Sequence, residues 1–262
     1  MKVLAVDTAT AWQSVALLDD ERVLARCDQA AAGSHAKLLL PTIDRLFRES
    51  GLSLEQLDGL VVSIGPGSFT GLRVGLSTML AFRAVSQLPL AVVPTLEALA
   101  WNLRGAAEPL CPVLNSRRGE LYWAVFRWIS RHELVRVVPE QVGVPDRVVL
   151  TLTEPTMLYG EGWMAESAAI RAALPEASFL LDAPDGIGKP SAVSVGLAGL
   201  AKLRRGEGAG VGVGPLYIQR AEAEIKFEES GGLSPVARRQ AKVAKQIGIR
   251  LALAGSRPRR RR

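Results

Sequence analysis

The chain has 262 residues, 48% of them hydrophobic, with two cysteines and two histidines. That length and apolar content suffice for one large core or two smaller ones, two histidines all but exclude a histidine-held metal, and the isolated Cys27 and Cys111 exclude a disulfide framework. The net charge of +6 is uneven: residues 230–262 carry ten Lys or Arg and no Asp or Glu, while the 22 basic and 26 acidic residues ahead of them leave the body at −4.

No apolar run is long enough for a membrane span, and Met1-Lys2 leads straight into a strand without a signal peptide. A reducing cytoplasm is the expected location. In chain order, Lys2 to Asp7 reads as a buried strand ending in the polar turn Asp7-Thr8-Ala9-Thr10. Gln13–Leu18 and Arg22–Cys27 are two further strands joined at Asp19-Asp20-Glu21, an antiparallel meander. Ser34 caps a helix through about Ser50, with Leu38, Leu39, Ile43, Leu46 and Phe47 on one face and Pro41 expected to kink it or mark its start. A short helical turn at Leu54–Leu57 precedes the strand Leu60–Ile64.

That strand is broken by Gly65-Pro66-Gly67, and Ser68 and Thr70 are both candidates to cap the helix from about Gly71 to Gln87. A glycine-rich turn at a helix N-terminus is either an anion site, where unpaired N–H groups converge, or a tight turn that packs helix on strand. It is not a Walker A loop: no Lys-Ser/Thr follows Gly71, and Arg73 is the only nearby cation. Strand Leu90–Val93 and helix Thr95–Leu103 follow.

The order then recurs. Strands Leu110–Leu114, Glu120–Trp128 and Leu134–Val142 precede a weak helix at Asp146–Leu150. Strand Thr156–Tyr159, helix Trp163–Leu174, strand Ser178–Leu181 and helix Val193–Arg205 complete the second block. Two blocks of three strands, helix, strand, helix, strand, helix form an internal duplication. The expected fold class is α/β, in the two-lobed arrangement of the actin-like, sugar-kinase and Hsp70-ATPase superfamily. Its lobes are placed at residues 1–105 and 106–225, with the last helix able to pack back on the first lobe, and a basic extension at 230–262.

Val61-Val62-Ser63-Ile64-Gly65-Pro66-Gly67-Ser68-Phe69-Thr70-Gly71-Leu72-Arg73-Val74-Gly75 resembles the signature of the bacterial TsaB (YeaZ) family. The opening Leu4-Ala5-Val6-Asp7-Thr8-Ala9-Thr10, His35 with Leu38-Leu39-Leu40-Pro41, and Val93-Pro94-Thr95-Leu96-Glu97-Ala98-Leu99 also match. Gly119-Glu120-Leu121-Tyr122-Trp123-Ala124 and Pro215-Leu216-Tyr217-Ile218-Gln219-Arg220 fit its second half. The resemblance covers about residues 1–225.

It implies a non-catalytic partner of the paralogous TsaD transferase. With a TsaE-like ATPase, that heterodimer places threonylcarbamoyl on the adenosine 3′ of the anticodon, and tRNA is met through the complex. The transferase's two metal-holding histidines, four apart, fall where this chain reads Thr95 and Leu99. Asp7 begins the turn that faces phosphates in ATP-using relatives. The second-lobe turn reads Asn115-Ser116-Arg117-Arg118-Gly119, where the family usually has Asp-Ala-Arg, and Asn offers Mg²⁺ no anionic oxygen. The resemblance thus implies no cofactor of its own, with ATP or ADP at most at a complex interface. The candidate phosphate contacts are Asp7, Thr8, Ser68, Thr70 and Arg73.

Gly71, Gly75 and Thr78 make a small-residue helix face. Leu72, Leu76, Met79, Leu80 and Val85 are more large apolar residues than one solvent-facing helix needs. The resemblance implies a helical bundle with the transferase, or with a second copy when it is absent. Leu39, Ile43, Phe47, Gly75, Leu76 and Leu80 are its candidate interface.

Ser230-Gly231-Gly232 reads as a linker, Val236–Leu253 as a basic amphipathic segment and Arg257–Arg262 as disordered. Arg238, Arg239, Lys242, Lys245, Arg259 and Arg260 are the candidate nucleic-acid contacts, with an anionic membrane or solubility as rival roles. Two rival functions are weighed. An ATP-dependent phosphotransferase needs a second acidic turn, which Asn115 denies. A peptidase acting on the transferase needs a Ser/Cys–His pairing, and neither His35 nor His132 has an evident partner.

Overall fold

Runs of Val, Leu and Ala with no polar alternation can be stable only in strands covered on both faces. Such runs open both halves of the chain. A computed structural model describes residues 1–174, 180–184, 186–210 and 212–219, and residues 1–218 make one compact unit. The first half comprises β1 (Lys2–Asp7), β2 (Trp12–Asp19), β3 (Arg22–Ala30), α1 (His35–Ser50), β4 (Gly59–Ser63), α2 (Phe69–Ser86), β5 (Leu90–Val93) and α3 (Thr95–Trp101). The second comprises β6 (Leu110–Asn115), β7 (Leu121–Ser130), β8 (Glu133–Gly143), α4 (Pro145–Val149), β9 (Thr156–Tyr159), α5 (Glu161–Ala173), β10 (Leu180–Asp182) and α6 (Ala192–Arg204).

Each half builds one five-stranded sheet, ordered β3-β2-β1-β4-β5 and β8-β7-β6-β9-β10, the same order twice. In each, an antiparallel meander continues into parallel strands. This is the duplicated actin-like fold.

Period-two alternation sorts the side chains. Leu4, Val6, Val15 and Leu17 face outward onto Leu39, Ile43 and Leu46 of α1 and Leu76 and Met79 of α2. Val3, Ala5, Ala16 and Val61 face inward onto Val195 and Ala198 of α6. Tyr122, Ala124 and Phe126 face the same middle layer, whereas Cys111, Val113 and Trp123 turn outward to Trp163 and Ile170 of α5. The helices of the middle layer are exchanged: α3, from the first half, packs on β6 and β7, and α6, from the second, packs on β1, β2, β4 and β5. Glycine permits the closest approach. A Cβ on Gly199 of α6 would lie 2.1 Å from Val61 Cγ1, and one on Gly196 would lie 2.2 Å from Leu18 Cδ1.

Several expectations change in detail. Ser68 alone caps α2, its Oγ accepting from Gly71 N at 3.2 Å, and the helix starts at Phe69, so Thr70 lies inside its first turn. Ser34 precedes α1 without a side-chain capping bond, and the helix continues through Pro41. Of the strand expected over Ser178–Leu181, Ser178 and Phe179 lie outside the described residues, and β10 is observed over Leu180–Asp182. No described helix is long and apolar enough to cross a membrane.

Candidate functional site at the cleft between the sheets

In an open sheet the crevice beyond the carboxyl ends of parallel strands, where the strand order reverses, is the natural ligand position. Both sheets present that end to one cleft of about 550 Å³. The first half lines it with the turn after β1 (Ala9, Thr10), the start of α1 (His35, Ala36) and the start of α2 (Gly67 to Gly71). The second half contributes Leu114, Asn115, Ser116, Arg117, Tyr122 and Glu161.

The turn after β1 is wedged against α2, and the glycines of the central motif make that contact. Thr8 Oγ1 donates to Gly71 O at 2.8 Å, and Ser68 N donates to Ala9 O at 2.6 Å. A Cβ on Gly71 would fall 2.1 Å from Thr8 O, one on Gly67 2.2 Å from Ala9 O, and one on Gly75 2.3 Å from Thr8 Oγ1. Gly67 also adopts φ +155°, which side chains rarely take. The motif's tight spacing is therefore used to seat one loop on one helix.

Asp7 lies beneath this turn, 1% exposed, and does not line the cleft. Its Oδ1 accepts from Ala9 N at 3.1 Å, which makes it a turn-capping carboxylate. Its Oδ2 has no partner. Ser63 Oγ lies close enough to favour the anion, yet neither atom makes a hydrogen bond of ordinary geometry. Burial pushes the Asp7 carboxyl up to about 6, against the weaker pull of Ser63 and Ala9, and Glu161 across the cleft pushes it the same way. Glu161, half-buried at the start of α5, is also raised by burial, partly offset by the Asn115 backbone N–H.

The five candidate phosphate contacts are thus not brought together. Thr8 is completely buried, and Asp7 is sealed from the cleft. Ser68 and Thr70 line it, with the Ser68 hydroxyl engaged as a helix cap. Arg73 turns elsewhere: its guanidinium carbon lies 3.9 Å from the Phe69 ring centroid, and its Nε donates to Tyr217 Oη at 2.9 Å. Phe69 and Tyr217 stack with centroids 5.2 Å apart. Leu216 N donates to Ile64 O at 2.7 Å, so the Pro215–Ile218 motif docks on the central turn.

The donor set does not fit a magnesium nucleotide of the kind hydrolysed by superfamily members. The acidic residue of the first turn is covered, that of the second is replaced by the neutral, exposed Asn115, and the glycine turn is filled by the protein's own backbone. Among the described residues, no group of three or more His, Cys, Asp or Glu could hold a metal ion.

The candidate interface also needs correction. Leu39, Ile43 and Leu76 are 1%, 2% and 4% exposed, inside the core between α1, α2 and the first sheet, and Gly75 is covered by Thr8. Their period-3.6 face marks burial against the lobe's own sheet. Phe47 and Leu80 are half-buried at its margin. The large apolar residues that do face solvent on these helices are Leu40, 54% exposed, and Val85, 82% exposed. Glu161 escaped the sequence reading, although Gly160-Glu161-Gly162 is the second-half counterpart of Gly65-Pro66-Gly67. Arg238, Arg239, Lys242, Lys245, Arg259 and Arg260 lie outside the described residues.

A family model described as TsaD, tRNA N6-adenosine threonylcarbamoyltransferase, matches residues 29–227. The tRNA threonylcarbamoyladenosine biosynthesis protein TsaB of Bacillus subtilis is 30% identical over 234 residues, 88% of this chain and 99% of that protein. The TsaB protein of Escherichia coli is 32% identical over 174 residues, 63% of this chain and 73% of its own length. The structure of YeaZ from Pseudomonas aeruginosa superposes with a TM-score of 0.71 at 29% identity, covering 83% of this chain and 99% of that one. Thirty per cent identity over 88% of this chain and 99% of the Bacillus subtilis protein has one reading: the chain belongs to the TsaB (YeaZ) family.

Proposed function

We propose that this chain is a non-catalytic scaffold subunit in the synthesis of N6-threonylcarbamoyladenosine in tRNA, acting by binding a TsaD-type transferase. The observation that carries this reading is the start of α3. Thr95 and Leu99 stand at the positions of the transferase's metal-holding histidines, and both are completely buried in the middle layer. An aliphatic group and a core hydroxyl cannot replace two imidazoles. The cleft adds no substitute, because among its described lining residues only the half-buried Glu161 is acidic and Asp7 is sealed beneath the turn.

The transferase docks on the outer surface of α1 and α2, with Leu40 and Val85 as exposed anchors and Phe47 and Leu80 at the margin. An exposed valine and leucine on neighbouring helices suit a helix-on-helix interface, whose energy concentrates in a few apolar anchors. A second copy uses the same surface when the transferase is absent. A TsaE-like ATPase and tRNA join through the assembled complex, and any nucleotide is held jointly with a partner.

The test is co-purification with the transferase and tRNA modification by the reconstituted set. The chain alone should bind no stoichiometric metal and transfer no threonylcarbamoyl group. Leu40→Arg and Val85→Arg should abolish co-purification while the circular dichroism stays native. Transfer by the lone chain above a no-enzyme control overturns the scaffold reading, and undiminished co-purification of both variants overturns the docking surface.

A further inference from the structure

The two halves are joined by two chain crossings, one from α3 to β6 through residues 102–109 and one from β10 to α6 through residues 183–191. Two side chains just past the end of α3 hold this region. Asn102 Nδ2 donates to Ile187 O at 2.6 Å and to Lys189 O at 2.9 Å. Its Oδ1 accepts from Ser194 Oγ at 2.5 Å, in the first turn of α6. One amide thus fastens the first crossing to the second.

Arg104, with its side chain 13% exposed, reaches both hairpins. Its Nη2 lies 2.8 Å from Glu21 Oε1, in the turn between β2 and β3. The same nitrogen lies 2.6 Å from His132 Nδ1, and Nε donates to Arg131 O at 2.7 Å, both in the turn between β7 and β8. The guanidinium lies over the Trp101 ring, 5.4 Å from its centroid. These turns are equivalent in the duplicated halves, and register puts both at the end away from the cleft. Lys2 pairs with Asp19 while Asp7 pairs with Ser14, and Leu110 pairs with Phe126 while Asn115 pairs with Leu121.

We propose that Asn102 and Arg104 form the hinge of this molecule: Asn102 locks the two crossings together and Arg104 pins the two hairpin tips, confining motion between the halves to the cleft end. A guanidinium is a planar fork with fixed donor directions, so acceptors on two bodies cannot slide independently while both remain bonded. At the opposite end Glu161 lines the cleft, and its charge disfavours that of Asp7 beneath the first half's turn, so these two groups do not tie that end. The inference is independent of the proposed scaffold role, because it concerns the free chain alone.

Spin-label distance measurements on the full chain, in a Cys27→Ser background, test it. One label pair, at Arg22 and Glu133, reads the hairpin tips. A second, at Lys37 and Met164, reads the cleft between α1 and α5. The parent should give a narrower tip distribution than cleft distribution. Arg104→Ala should broaden the tip distribution about two-fold with unchanged circular dichroism, as expected when a hinge contact is released. Asn102→Ala should broaden the cleft pair. Glu21→Ala cuts Arg104 from the first hairpin while leaving it on Trp101 and Arg131 O, and must reproduce the tip broadening, which keeps the test open should Arg104→Ala fail to fold. A tip distribution unchanged in any folded pin variant overturns the pin, and an unchanged cleft pair in Asn102→Ala overturns the lock. Equal broadening in Arg127→Ala, which removes an ion pair with Glu154 inside the second half, also overturns the proposal.

Discussion

Asp7→Asn should stabilise this protein at alkaline pH and do little in acid. Burial raises the Asp7 carboxyl from an ordinary 3.8 to about 6. The folded state therefore holds this proton more tightly than the unfolded state. The stabilisation that the protonated group provides is complete below about pH 3.8 and is lost as pH rises through about 6. A shift of roughly two units, at about 1.4 kcal/mol each, makes ionised Asp7 a liability of about 3 kcal/mol at pH 8. Asparagine keeps the oxygen that accepts from Ala9 N and presents an amide, in place of Oδ2, towards the unpartnered Ser63 Oγ. The assay is urea unfolding of parent and variant from pH 4 to pH 8.5. The difference between the two proteins should grow with pH, reaching about 3 kcal/mol in favour of the variant. Glu161 adds a slope of the same sign to both proteins, so only their difference isolates Asp7. A difference that stays flat across this range, or a variant less stable at pH 8, would refute the argument.

Gly71→Ala gains at most about 1 kcal/mol of helix propensity, but a Cβ placed 2.1 Å from Thr8 O must force the turn off α2. A net loss of about 1–2 kcal/mol by thermal unfolding is expected, and a stabilised variant would show that the turn has room. Leu76→Ala, in the core of the first half, should cost about 2–5 kcal/mol, and Ile43→Arg should prevent folding altogether, whereas Leu40→Arg folds normally; a folded, monomeric Ile43→Arg protein would contradict its assigned burial. Truncation after Ser230 removes ten cations. If these contact tRNA phosphates, the log–log salt slope of tRNA affinity for the complex should flatten by about 3–5 units, largely regardless of tRNA sequence. Unchanged slopes would remove tRNA from the role of this segment and direct attention to anionic vesicles.

The duplicated element order was legible because its causes are local. Valine-rich runs, the breaks at Gly65-Pro66-Gly67, and the two meanders repeat in the same sequence order. What escaped was anything set by the third dimension. The apolar face Leu39-Ile43-Phe47 reads identically whether it is covered by a partner or by the chain's own sheet, and periodicity cannot say which. Asp7 stands where a phosphate-facing carboxylate would, but nothing local reveals that Ala9 and α2 close over it. Arg73 looked like a cation for the turn, but it lies on Phe69 one helical turn back and on the distant Tyr217, a contact that no local pattern announces. Thr95 and Leu99, on which the scaffold proposal rests, could be read because an absent imidazole is visible in one dimension.

The exchange of middle-layer helices bears on how the chain reaches its native state as it leaves the ribosome. The first sheet can assemble once β5 has emerged, yet its inner face has no cover until α6 is made, about 100 residues later. During that interval Val3, Ala5, Ala16 and Val61 stay open to water or to a chaperone. Neither half is a self-sufficient folding unit.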